Sequence, residues 1–287
     1  MHIPVLLVET MRVLAPERGG TFIDCTVGLG GHARALLERG ATRLLGLDRD
    51  QTALAMAHAA LSDLADRVDL VHADYRDLER VLDERGIAAA DGILADLGVS
   101  SMQLDAPGRG FTFRRDEPLD MRMDPSQGPT AAELLRTVEE SELADVIFRY
   151  GEERQSRRIA RALVRAREER PLETTGQVAD VVRRASRVKG YWRIDPATRT
   201  FQALRIWVNR ELDGLDAFLE HAAGRLAPGG RLAVIAFHSL EDRLVKHTFR
   251  RLDTARVLTK RPIVPGEDEV ARNPRSRSAK LRAVERA

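Results

Sequence analysis

A single cysteine among 287 residues, Cys25, leaves nothing from which a disulfide framework could be built, and no Cys/His grouping has the ligand spacing of a zinc site. No metal is expected, and a reducing, cytoplasmic setting fits. Long apolar runs are also missing. The stretch Val5–Val8 is too short for a signal-peptide core, and no eighteen uninterrupted apolar residues occur, so no membrane partner is expected. Internal repeats and low-complexity tracts are absent too. With 43% hydrophobic and 31% charged residues the balance is that of a folded globular chain rather than a disordered one. At this length one large domain, or a core domain carrying a smaller inserted one, is the starting expectation.

Lysine is scarce: four of the 46 basic residues, the rest being arginine. Arginine's planar fork suits phosphates and base edges, although genome composition or heat adaptation produces the same bias. The formal charge of +2 hides an asymmetry. From Arg243 onward thirteen Lys/Arg face five Asp/Glu, a local +8, which leaves −6 on the preceding chain.

The first hundred residues alternate short apolar strands with helical stretches. Thr21–Val27, Arg43–Asp48, Val68–Ala73 and Ile93–Leu97 read as strands, with helices at His32–Arg39 and Gln51–Leu64. Such alternation implies right-handed crossovers and an α/β, doubly wound, mostly parallel sheet. From Asp105 to Gly128 the period is lost, as in an extended surface loop. Helices follow: Thr130 with Glu133 and Thr174 with Gln177 fit capping boxes, and Asp195-Pro196 places a capping acid before a proline at the first helical position. After the turn Ala227-Pro228-Gly229-Gly230, Arg231–Phe237 reads as a fifth core strand. The chain thus divides into a core of 1–105 and 206–287, interrupted by a helical insert at 106–205.

The motif Asp24-Cys25-Thr26-Val27-Gly28-Leu29-Gly30-Gly31-His32 puts glycines where a strand turns into a helix, a place for a nucleotide-like ligand. Gly28-x-Gly30-x-x-Ala33 satisfies the dinucleotide fingerprint, and Asp48, twenty residues on, is placed for ribose hydroxyls. These features suit nicotinamide dinucleotide and S-adenosylmethionine alike. Asp24, before the glycines, fits a cationic amine better than a pyrophosphate, or else caps the turn. His32 contacts the cofactor's amino-acid part or caps the helix. Cys25 reads as a small core residue, and Tyr75 either lies against adenine or packs at a strand end. Asp96, at the end of the fourth strand, is the acid positioned to orient and deprotonate an exocyclic amine, unless it bonds local amides or touches only cofactor. His238 ends the fifth strand at the same edge, to hold a base or to serve structure. Arg154, Arg158, Arg161 and Arg165 share one helix face, either for RNA backbone or as a solvated face paired with Glu152, Glu153, Glu168 and Glu169.

Several motifs are more specific than the glycine loop. They are His2-Ile3-Pro4-Val5-Leu6-Leu7, Asp120-Met121-Arg122-Met123-Asp124, Gly151-Glu152-Glu153-Arg154, Ala197-Thr198-Arg199-Thr200-Phe201-Gln202-Ala203, Phe237-His238-Ser239-Leu240-Glu241-Asp242 and Asn273-Pro274-Arg275-Ser276-Arg277-Ser278. Through them nearly the whole chain resembles the bacterial ribosomal RNA small-subunit methyltransferase H family, the 16S rRNA cytidine-N4 methyltransferases. The resemblance implies a Rossmann-like class I S-adenosylmethionine methyltransferase fold with an inserted all-helical domain for RNA recognition. It also implies a cytidine in the decoding region as substrate, presented by 16S rRNA within the small ribosomal subunit. By position it assigns Gly30, Gly31, His32, Asp48, Tyr75, Asp96 and Gln103 to the cofactor, so that Asp96 binds cofactor rather than acting as a base. The Pro-Pro-aromatic motif of many amino-methyltransferases does not follow Asp96. Cys25 replaces a small residue of many relatives, and the stretch between Arg251 and Pro265 is shorter than in some. The oligomeric state is left open, a dimer among the options. Two rival readings are a cofactor-binding assembly factor without catalysis and a nicotinamide-dependent oxidoreductase.

Overall fold

Short aliphatic runs bounded by polar turns form strands here, because a continuous apolar run of four to seven residues is buried on both faces of a parallel sheet, whereas a surface helix would leave part of it in water. The structure, a computed structural model, describes residues 3–186 and 194–287. His2, where the family resemblance begins, lies outside them, as do 187–193 of the expected insert. Contacts group the chain into two units, Met1–Gly98 with Leu212–Ala287, and Val99–Glu211.

The first unit opens with α1 (Leu7–Leu14), then β1 (Thr21–Asp24), α2 (Gly31–Glu38), β2 (Arg43–Asp48), α3 (Gln51–Ala60), β3 (Val68–His72), α4 (Leu78–Glu84) and β4 (Ala90–Asp96). β1 ends at Asp24, three residues before its expected limit, because the Asp24 carboxylate accepts the Thr26 amide and turns the chain. α3 stops at Ala60 rather than Leu64, and a 3-10 turn carries the chain through Ser62–Arg67.

The second unit contains α5 (Ser101–Asp105), α6 (Ala131–Thr137), α7 (Glu140–Gly151), α8 (Ser156–Glu169), α9 (Thr175–Ala185) and α10 (Ala197–Asn209). Both expected capping boxes are present, at Thr130–Glu133 and Thr174–Gln177, and Asp195 accepts the Ala197 amide at the head of α10. The unit begins at Val99 and ends at Glu211, wider than 106–205, since the short α5 and the whole of α10 pack with it. Three of the specific motifs are its joints. The Asn209 side chain donates to the Met121 carbonyl and accepts from the Met123 amide, pinning the Asp120–Asp124 segment, inside which Arg122 grips Asp120 at 2.8 Å. Gly151 lets α7 meet α10 closely, for a Cβ there would stand 2.6 Å from the Arg199 carbonyl oxygen.

The first unit resumes with α11 (Leu215–Gly224), β5 (Leu226–Ala236), α12 (Ser239–Arg251), β6 (Ala255–Val257), α13 (Glu267–Arg272) and β7 (Lys280–Arg286). The Ala227–Gly230 turn is taken up within β5 as a bulge, since Leu226 pairs with Ala90 and Arg231 already with Gly92. α1, α13, β6 and β7 were not anticipated from the sequence.

Among the described residues the sheet runs β3-β2-β1-β4-β5-β7-β6, parallel except for β7, which lies antiparallel between β5 and β6. This is a Rossmann-like doubly wound sheet of class I methyltransferase order, with its switch point between β1 and β4. Helices cover both faces over cores that include Ile23, Leu45, Leu47, Ile93 and Val234 on one side and Phe22, Leu44, Leu94 and Ile235 on the other. Each such side chain contributes about 1.5–3 kcal/mol by leaving water. Asp242 of α12 anchors β7 through Arg282 at 2.6 Å and Lys280 at 3.0 Å. No helix among the described residues is long and apolar enough to cross a membrane.

Candidate cofactor and active site

β1, β2 and β4 are parallel and each ends in an aspartate, Asp24, Asp48 and Asp96; Asp24 pairs with Gly46 and Leu94, two residues short of the other two acids. Three acids therefore collect beyond the carboxyl ends of the strands at the switch point, where open α/β sheets bind ligands. Asp24 is 1% exposed. One of its oxygens takes the Thr26 amide, while Oδ2 is buried without a hydrogen-bond partner. Burial, opposed by the Thr26 amide and reinforced by the charge of Asp48, pushes its carboxyl up to about 7. Asp48 accepts the amides of Gly28 (2.8 Å) and Asp50 (2.9 Å), yet burial still raises it to about 6. Asp96 also leaves Oδ1 buried and unpartnered, and burial, with Asp24 and Glu241 nearby, holds its carboxyl well above the usual range.

Buried polar atoms without partners are rare and call for a cause. Two carboxylate oxygens set among other acids have the acceptor capacity and the charge to suit a cationic ligand.

The glycine loop sits against these acids. Gly28 and Gly30 have φ of +53° and +80°, conformations that a side chain resists. Space differs from one glycine to the next. A Cβ on Gly28 would meet only the Thr26 carbonyl at 3.8 Å, leaving that side open for a ligand, whereas one on Gly31 would stand 2.5 Å from Pro4 Cγ. Gly31 is thus required by packing under the N-terminal segment rather than by ligand approach. α2 begins after Gly30 with no side-chain cap, so its first amides suit a carboxylate.

His32 caps nothing. Its Nε2 donates to the Val5 carbonyl at 3.0 Å, which leaves Nδ1 facing Asp96 Oδ2 at 3.8 Å. Thr26, which sequence reading passed over, accepts the Asp96 amide through its hydroxyl at 2.7 Å and so ties the ends of β1 and β4. Tyr75 is buried to 9% exposure, tilted against Phe218 at 4.7 Å with the Arg76 guanidinium 5.7 Å from its ring. Cys25 is a buried free thiol pushed up by burial, a core residue as expected. His238 caps α12 by accepting the Glu241 amide, and Glu241 in turn accepts the Phe237 amide. The Phe237–Asp242 motif is therefore built as a helix entry, and it places Glu241 within electrostatic reach of Asp96. Gln103 belongs to the second unit, where it forms a capping box with Ser100. The partnerless oxygens have no signal in one dimension and emerge only from burial, and the Phe237–Asp242 motif marks Glu241 without showing that it lies near Asp96.

A profile of the MraW methylase family matches residues 1–287. The chain is 52% identical over 285 residues to the ribosomal RNA small subunit methyltransferase H of Sorangium cellulosum, covering 99% of this chain and 90% of that protein. It is 53% identical over 288 residues to the protein of the same name from Deinococcus radiodurans, covering 100% and 90%. A solved structure titled as an rRNA methylase from Streptococcus thermophilus aligns with a TM-score of 0.45 at 12% identity, covering 100% of this chain and 99% of that one. S-adenosylmethionine is the methyl donor of the family, and the acids at the strand ends, the open side of Gly28 and the uncapped α2 fit it. Full-length agreement with the profile and half-identity to these relatives establish that the chain belongs to the MraW methylase family.

Proposed function

We propose that this protein transfers a methyl group from S-adenosylmethionine to small-subunit ribosomal RNA, at the N4 amine of one cytidine in the decoding region of 16S rRNA. The observation that carries the cofactor half is the pair of buried, unpartnered carboxylate oxygens on Asp24 and Asp96. A dinucleotide pyrophosphate would be repelled by the same acids, which weighs against an oxidoreductase. The RNA half is supported by the relatives, which are named ribosomal RNA small subunit methyltransferases.

When bound, S-adenosylmethionine supplies an electrophilic methyl on a cationic sulfur. The chain's residues do the rest. The first amides of α2, at Gly31 and His32, receive a carboxylate. Asp24 offsets positive charge, Asp48 has acceptor capacity left for ribose hydroxyls beyond its two amides, and the Tyr75 ring supports adenine. The family resemblance assigns Gln103 to the cofactor as well, and the insert to RNA recognition.

Asp96 has the chemical part. A carboxylate accepting an amine N–H orients the nitrogen lone pair toward the methyl and helps remove the proton, a contribution on the order of 10²-fold or more. Burial and the charges of Asp24 and Glu241 disfavour the ionised form of Asp96, and a cation held beside it acts in the opposite direction. Because a paired base hides its amine, the substrate is an exposed or flipped-out cytidine in an assembled particle.

The test is incubation with labelled cofactor and unmodified small subunits, naked rRNA or free cytidine, with products mapped by mass spectrometry. Methyl on N4 of one cytidine, and none on the free nucleoside, is expected. Methyl on a cytosine carbon or a ribose oxygen would refute the assignment, and no transfer to any RNA would remove the function.

A further inference from the structure

The arginines of α8 admit two readings in sequence, an RNA-binding stripe or a solvated face neutralised by neighbouring glutamates, and the structure separates them. Ser156, Ile159, Ala160 and Leu163 are buried on one side of the helix. Arg157, Arg158, Arg161 and Arg165 are exposed on the other, within an arc of about 100° at 3.6 residues per turn. Arg154 precedes the helix and does not belong to the row.

The candidate neutralising acids do not neutralise it. Glu153 accepts the Gln155 amide and faces Arg199 at 3.6 Å. Glu168 and Glu169, three and four residues beyond Arg165, form no ion pair with it in the structure. Of the four arginines only Arg161 is paired, with Glu140 at the head of α7. Arg157, Arg158 and Arg165 have no hydrogen-bond or ion-pair partner among the described residues. Successive members of the row Arg157, Arg161, Arg165 stand about 6 Å apart along the axis, on the scale of one nucleotide.

α7 packs on α8, with Glu140 at its head beside Arg161, and carries an exposed aromatic of its own. Phe148 is 57% exposed, at the edge of the side that buries Leu143, Ala144 and Ile147. An exposed phenyl ring keeps apolar surface in water, and unstacked bases of single-stranded RNA bind such rings. Unpaired guanidinium groups and an exposed aromatic on one helix pair are the two ingredients of a surface for single-stranded or looped RNA.

We infer that the outward face of the α7–α8 pair binds RNA, with Arg157, Arg158 and Arg165 on phosphates and Phe148 stacked on an unpaired base. This rests on the RNA methyltransferase reading and assigns the RNA contact to a stated set of side chains.

The experiment compares the full-length protein with the triple variant Arg157→Gln/Arg158→Gln/Arg165→Gln and with Phe148→Ala. It measures binding to a fluorescent 16S rRNA decoding-region fragment across a salt series, methylation of naked fragment and of assembled subunits, and S-adenosylhomocysteine affinity as the fold control. All four side chains point into solvent, so the fold control is expected to be unchanged. The triple variant should bind RNA at least tenfold more weakly at about 0.1 M salt, with the slope of log affinity against log salt reduced by roughly two to three. Phe148→Ala should weaken binding with its salt slope unaltered, since stacking releases no counterions. Wild-type-like RNA affinity and slope in the triple variant, while the wild-type protein methylates RNA, would overturn this surface and leave the function standing. Loss confined to assembled subunits, with naked RNA bound normally, would also overturn it, by showing that the face meets ribosomal protein. Failure of the wild-type protein to methylate any RNA would instead strike the function itself.

Discussion

Replacing Asp24 by asparagine should stabilise the cofactor-free protein while weakening its hold on cofactor. The asparagine oxygen can still accept the Thr26 amide, so the turn after β1 survives. What disappears is a buried charge. The carboxyl is pushed from 3.8 to about 7 by burial, roughly three units or about 4 kcal/mol at 1.36 kcal/mol per unit. Its folded pKa lies above its unfolded one, so between these values the folded state keeps a proton that the unfolded state has released, and stability falls as pH rises from about 4 to about 7. The full penalty applies above that window. The variant lacks it, so its advantage should be about 4 kcal/mol at pH 8 and under about 2 kcal/mol at pH 5. In thermal melts this is on the order of ten degrees at pH 8. Saturating S-adenosylmethionine should then raise the wild-type melting temperature much more than the variant's. A variant that melts below wild type by the same margin at both pH values would refute the reasoning, because Asp24 would then be a net stabiliser.

Asp96→Asn should lower methyl transfer at saturating cofactor on the order of 10²-fold, measured by single turnover, and unchanged rates would remove its chemical role. Gly31→Ala would place a Cβ 2.5 Å from Pro4 Cγ; cofactor affinity and melting temperature should both fall, and adding Pro4→Ala should restore much of each, a coupling that a direct ligand clash would not show. Burial works against the Asp242 carboxylate, but Arg282 and Lys280 outweigh it and hold its pKa below the ordinary value. Asp242→Asn should therefore destabilise by about 3 kcal/mol at neutral pH, and the difference should shrink as pH falls below about 4, where the wild-type group also takes up a proton. Denaturant melts at pH 7 and pH 3.5 would reveal the convergence.

The strand runs and the capping boxes were legible because they are local. Arg43–Asp48 is a strand wherever its neighbours lie, and Thr130 meets Glu133 within a single turn. β6 and β7 were not, since Ala255–Val257 and Lys280–Arg286 are charged stretches that become strands by pairing antiparallel along β5, a long-range event. At the site, the glycine loop and the three acids stood out by spacing, but the reason for each did not. Gly31 reads as a ligand-approach glycine until Pro4 is seen against it, and the Phe218 ring tilted against Tyr75 lies too far along the chain to be anticipated. The specific motifs carried the family resemblance, but not the reason for their residues. Asp120–Asp124, Gly151–Arg154 and Phe237–Asp242 prove to be joints, held by Asn209, by the α7–α10 approach and by the cap on α12.

The insertion of residues 99–211 between β4 and β5 also sets a timetable for synthesis. β4 is an interior strand in the finished sheet, yet on a translating ribosome it emerges with one side bare and waits for Ala236 to be polymerised. At 5–20 residues per second that delay is roughly 7–28 s. During it the contiguous insert can fold alone, while four strands carry an open edge of the kind that recruits other chains. Nascent-chain aggregation of this protein should therefore start at β4, and slow codons between the two strands would worsen it.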